Sequence, residues 1–96
     1  MMEHFETMFI VTPDLKDDKL NAVLDAVRNY ISDLSGNVLK EDIWGTKQLA
    51  YEIDGHLKGV YCLFTFDAPY AAMKELDRKL RENESIMRHM ILHKTK

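Results

Sequence analysis

Gly59-Val60-Tyr61-Cys62-Leu63-Phe64-Thr65-Phe66 is almost wholly apolar and aromatic. Such a run reads as a strand at the centre of a sheet, covered on both faces. Upstream of it, Asp54-Gly55-His56 supplies an Asp-Gly hairpin signal, so the preceding segment is its antiparallel partner. That partner, Val38 to about Ile53, is rich in polar residues, and Gly45 within it marks a bulge or bend. Downstream, Ala68-Pro69 opens a helix, with Pro69 suited to a first turn because it lacks an N–H. Met73, Leu76 and Leu80 make that helix's apolar stripe, with Ala72 beside it. Glu75–Lys79 and Asp77–Arg81 are i,i+4 pairs that leave its other side to water. Asn83-Glu84 ends it, and Ile86–His93 is a last strand.

The N-terminal half repeats the alternation. Glu3–Val11 reads as a strand with Phe5, Thr7, Phe9 and Val11 on one face and Glu6, Met8 and Ile10 on the other. Thr12-Pro13-Asp14 ends it. From about Lys16 to Leu34, apolar residues step by three and four: Leu20, Val23, Leu24, Val27, Tyr30, Ile31 and Leu34. Asp14, Asp17 and Asp18 sit near the positive end of this helix. Ser35-Gly36-Asn37 stops it, with Gly36 expected in the left-handed conformation. The order is β-α-β-β-α-β. Right-handed crossovers then give one four-stranded antiparallel sheet with both helices on one face, an α+β fold of the ferredoxin-like kind. A chain of 96 residues without linker or internal repeat reads as a single domain over 1–96.

Two helices cover only one face of such a sheet. If Phe5 and Phe9, with Cys62, Phe64 and Phe66, point toward the helices, Met8, Ile10, Tyr61 and Leu63 form an apolar patch on the open side. That patch is a candidate surface for a protein or for bases. The same element order occurs in single-strand RNA-binding domains that stack bases on aromatics of the first and third strands. Lys58-Gly59-Val60-Tyr61-Cys62-Leu63-Phe64 echoes their third-strand motif, but Val60 and Cys62 stand where the stacking aromatics belong.

Composition narrows the chemistry further. The single cysteine, Cys62, excludes an internal disulfide framework and a Cys-rich metal centre, and reads as a packing thiol. No catalytic triad, Gly-rich phosphate loop or metal-ligating helix pattern appears, which points away from an enzyme. The apolar runs are too short to span a membrane and no signal-peptide pattern opens the chain, so it reads as cytosolic. Net charge is −3, unevenly spread. Residues 1–46 hold nine acids and four bases (−5), and residues 47–96 hold seven acids and nine bases (+2). Arg88, Lys94 and Lys96 form a basic group at the end of the chain.

Three segments together resemble a known family. They are Phe5-Glu6-Thr7-Met8-Phe9-Ile10-Val11-Thr12-Pro13-Asp14-Leu15, Trp44-Gly45-Thr46-Lys47-Gln48-Leu49-Ala50-Tyr51-Glu52-Ile53, and Glu75-Leu76-Asp77-Arg78-Lys79-Leu80-Arg81 followed by Ile86-Met87-Arg88-His89-Met90. In this order they resemble ribosomal protein six of the bacterial small subunit. The resemblance implies a non-enzymatic, cytoplasmic ribosomal protein without cofactor or small-molecule substrate. It implies binding to the central domain of small-subunit rRNA together with ribosomal protein eighteen of that subunit. The family usually carries two basic residues after Trp-Gly, here Thr46 and Lys47, and Pro where Glu52 stands. The expected phosphate contacts are Lys47, Arg88, Lys94 and Lys96, with Arg78 and Arg81 on the second helix as further candidates. Met8, Ile10, Trp44, Tyr61 and Leu63 are the expected contacts with the partner protein. The alternative reading is a protein-only interaction or regulatory module that dimerises through its open sheet face.

Overall fold

The computed structural model describes residues 2–94. Four strands and two helices follow the expected order: β1 (Met2–Val11), α1 (Asp17–Asp33), β2 (Asn37–Ile53), β3 (His56–Pro69), α2 (Met73–Glu82) and β4 (Ile86–Lys94), with a 3₁₀ turn at Tyr70–Ala72. The strands form one antiparallel sheet in the order β2-β3-β1-β4. β3 and β1 are therefore central, as their apolar content requires.

The core lies between the sheet and the two helices. Phe5, Phe9, Phe64 and Phe66 are at most 1% exposed. Phe9 and Phe64 meet edge to face at 5.2 Å, an arrangement that suits their quadrupoles. From α1 come Val23, Leu24, Val27 and Ile31, and from α2 Leu76 and Leu80. Among the described residues Thr7 is the one buried polar residue, and its hydroxyl donates to the Met90 carbonyl at 2.9 Å. The helices are tied to their surroundings by polar contacts: Arg28 donates to both oxygens of Glu41 on β2, at 2.5 and 2.7 Å. Asn83 Nδ2 donates to the Tyr30 hydroxyl at 3.1 Å.

Four local expectations change. β3 is central but is covered on one face only, so its Tyr61, Leu63 and Thr65 are half-buried while Val60, Cys62, Phe64 and Phe66 are buried. Pro69 lies at the end of β3, extended at ψ 138°, and the chain passes through the 3₁₀ turn before α2 begins. The residue in the left-handed conformation after α1 is Ser35, with φ 65°, rather than Gly36. The Ser35 and Gly36 amides donate to the Ser32 and Ile31 carbonyls, a Schellman ending. Gly36 is needed for space instead, since a Cβ there would stand 2.6 Å from Ile31 Cγ2. On α2, Asp77–Arg81 forms at 3.3 Å, but Glu75 pairs with Arg78 rather than Lys79. The Lys79 ammonium sits 5.5 Å from the Tyr30 ring centroid instead.

β2 departs from regular pairing. Its register against β3 shifts between Val38 and Lys40, between Ile43 and Gly45, and between Gln48 and Ile53. Gly45 takes φ +87° at the second shift, which fulfils the bulge expected there. The Asp54-Gly55 turn has φ 50° and 80°, the left-handed pair of a tight hairpin.

Candidate functional site

Opposed residues of an antiparallel pair point to the same face. Met8 faces Leu63 on one side and Met90 on the other. Ile10 faces Tyr61 and Arg88, and Glu6 faces Leu92. Phe5, Phe9 and their partners take the helix side, so these residues take the open side. Met8, Ile10, Tyr61 and Leu63 thus meet as expected, and β4 extends the patch with the exposed Met90 and Leu92.

The far end of β2 coils over this face. Leu49 and Ile53 are buried there, outside the main core. Gly59 beneath it leaves room for the neighbouring strands: a Cβ on it would run into Ile10 Cγ2 and stand 2.9 Å from Met87 Cε. The result is an open groove of about 270 Å³, floored by Met8, Ile10 and Tyr61 and walled by Tyr51 on β2 and Arg88 on β4. A mostly apolar floor with a cation at one wall has the chemistry to accept a macromolecular surface.

The cations fall into two groups. Lys47 lies opposite Gly59 and Arg88 opposite Ile10, both exposed on the open side. Neither has a carboxylate within ion-pair distance among the described residues. Lys94 shares this side but is held 3.2 Å from Glu6. Lys96 lies outside the described residues. Arg78 and Arg81 are on α2, on the other side of the sheet. Arg78 bonds Glu75 and reaches both oxygens of Glu82 at 2.9 Å, and these carboxylates raise its already high pKa. Trp44 stands in the β2 bulge, 49% exposed, and is not among the groove's lining residues.

Among the described residues no reactive cluster gathers on either side. Burial pushes the Cys62 thiol up to about 12, so it stays protonated and unreactive at neutral pH. Each histidine faces a carboxylate: His4 faces Asp67, His56 faces Asp14, His89 faces Asp77 and His93 faces Glu3. These pairs cross-tie neighbouring elements. Among the described residues no three metal-ligating groups gather.

The sequence alone did not reveal Leu49, Tyr51, Met90 and Leu92 as part of this surface. Once Arg88 is placed on the open side, period-two alternation carries Met90 and Leu92 with it. Leu49 and Tyr51 depend on the coiling of β2, which has no comparable signal in the sequence.

A family model described as ribosomal protein S6 matches residues 4–93. The chain is 37% identical over 91 residues to small ribosomal subunit protein bS6 of Desulforamulus reducens, spanning 95% of this chain and 96% of that protein. It is 41% identical over 91 residues to the protein of the same name from Salinispora tropica, spanning 95% of each. Its fold is similar to the crystal structure of 30S ribosomal protein S6 from Thermotoga maritima, with TM-score 0.91 and 23% identity, covering 98% of this chain and 89% of that one.

Proposed function

The chain belongs to the ribosomal protein S6 family, a family of structural, non-enzymatic components of the small ribosomal subunit, and on that premise we propose that it binds small-subunit rRNA together with ribosomal protein eighteen in the cytoplasm. The observation that supports this most is the open sheet face. Its apolar groove suits a protein surface, while Arg88 and Lys47 stand exposed on the same side with no carboxylate within ion-pair distance among the described residues. In this reading Met8, Ile10, Tyr61 and Leu63, with Trp44 at the strand edge, contact the partner protein. Lys47, Arg88, Lys94 and Lys96 contact phosphates, with Arg78 and Arg81 serving RNA on the helix side.

Charge also bears on the order of events. A chain of net charge −3 offers few cations for phosphate neutralisation. Alone it binds rRNA weakly, and the partner supplies both the missing positive surface and the cover for the groove. The test is the affinity of the protein for rRNA with and without ribosomal protein eighteen, across several salt concentrations. The expected result is tight, salt-sensitive binding only when both proteins are present. Tight binding of the protein alone at physiological salt, with no gain from the partner, overturns the proposed cooperation. Self-association through the open face with no affinity for RNA would instead identify a protein-only module.

A further inference from the structure

A second hollow, of about 470 Å³, lies on the helix side, between the start of α2 and the ends of β1 and β4. Phe5 and His93 are opposed across β1 and β4, and their rings stack at 4.9 Å. Tyr70, in the 3₁₀ turn, closes the cluster with its ring 5.3 Å from His93 and steeply inclined to it. The three rings differ in access. Phe5 is 1% exposed and forms a floor no ligand reaches, whereas Tyr70 is 61% exposed. Tyr70 is thus an exposed aromatic ring held against His93 and, at 6.2 Å, against Phe5.

The charges around it are uneven in a useful way. Glu3 is bound to His93 at 2.7 Å, and Asp77 is shared between His89 and Arg81. The neighbouring carboxylates therefore have cationic or hydrogen-bonding partners already. Lys74, one turn beyond Tyr70, is exposed and has no carboxylate within ion-pair distance among the described residues. It also lines the adjoining hollow with Arg78 and Arg81. In a chain of net charge −3, α2 carries four bases (Lys74, Arg78, Lys79, Arg81) against three acids (Glu75, Asp77, Glu82).

We propose that this hollow takes one unstacked RNA nucleotide, its base on the Tyr70 ring beside His93 and its phosphate on Lys74. An aromatic face accepts any base, and a cation one helical turn away matches a phosphate rather than an apolar side chain. The Tyr70 ring is positioned by its two aromatic neighbours, so stacking costs little further ordering. The inference rests on the RNA-binding reading above and adds a contact on the side of the sheet opposite the groove.

The test uses the full chain with ribosomal protein eighteen and purified small-subunit rRNA, comparing Tyr70→Ala, Tyr70→Phe, Lys74→Ala and Arg88→Ala. Thermal melting first confirms that each variant is folded. Tyr70→Ala should weaken RNA binding about ten-fold without changing its salt dependence, as for the loss of one base stack. Tyr70→Phe should restore it. Lys74→Ala should lower the log–log salt slope by about 0.7 to 1 unit, one phosphate contact. Wild-type affinity in Tyr70→Ala, with Arg88→Ala weakened, overturns this inference and leaves the open-face reading standing. Absence of salt-dependent RNA binding by the wild-type chain overturns both. A Tyr70→Ala defect in association with the partner protein when RNA is absent would show that the hollow takes a peptide side chain, and overturns the nucleotide assignment.

Discussion

The two faces of one sheet use the same strands to opposite ends. On the helix side Phe5, Phe9, Phe64 and Phe66 are closed to solvent. One residue along each strand, Met8, Ile10, Tyr61 and Leu63 are apolar as well, yet half-open. Hydropathy alone does not separate these two sets. What separates them is the supply of covering elements: two helices are enough for one face. The closed core lies on one side and the open apolar patch on the other, and a one-residue shift in register would exchange them.

The comparison breaks most severely if its closed side is opened. Phe64→Ala should cost about 3–5 kcal/mol and Leu76→Ala about 2–5 kcal/mol, as for deletions of large buried side chains. Urea midpoints check both, and an unmoved midpoint would mean that the helices do not pack on this face. The next test charges the open side. Met90→Asp should change folding stability by no more than about 0.5 kcal/mol, as for an exposed position. It should weaken association with the partner protein by at least about ten-fold, since a charge would enter an apolar contact. Calorimetric titration of the two proteins, beside a denaturation curve, separates these effects.

A smaller effect is expected at the groove's rim. Lys47→Ala and Arg88→Ala should each lower the log–log salt slope of RNA binding by about 0.7 to 1 unit while leaving the melting temperature nearly unchanged. An unchanged slope in both would move the phosphate contacts to α2. The smallest effect joins helix side to sheet. The Arg28 guanidinium holds the Glu41 carboxyl below its ordinary value through hydrogen bonds and charge. A carboxyl depressed on folding adds stability above its unfolded pKa and loses it as pH falls through the folded one. Glu41→Gln should therefore cost under about 1 kcal/mol at pH 7. The difference should fade as pH drops through the acidic range below the usual Glu value. Paired denaturation curves across that range would show it.

Much of this division was legible in the sequence because β1 and β3 alternate cleanly. Phe5, Phe9, Phe64 and Phe66 could be placed inward, and Met8, Ile10, Tyr61 and Leu63 outward, from period two alone. β2 was harder. Three register shifts interrupt its alternation, the last of them across Leu49 and Tyr51, so the inward turn of Leu49 and the groove wall at Tyr51 depend on coiling rather than on pattern. The Tyr70 hollow was hidden for another reason. Its rings come from β1, the 3₁₀ turn and β4, and Pro69, read as a helix start, instead ends a strand and lets Tyr70 fall outside α2. The cations Lys47 and Arg88 were identifiable as residues, but their shared side required the pairing registers.

The interruptions in β2 also bear on how copies of this chain behave toward one another before assembly. An outermost strand of 17 residues offers a long row of backbone donors and acceptors to any passing chain. Its three shifts leave two longest runs in uninterrupted register, Lys40–Ile43 and Gly45–Gln48, each four residues long, and Lys40, Glu41, Asp42 and Lys47 in them are charged. Each run is shorter than the six- or seven-residue segments that stack into cross-β spines, and more polar. The same kinks that blur the pattern therefore blunt a template for fibril growth while a newly made copy waits for its RNA.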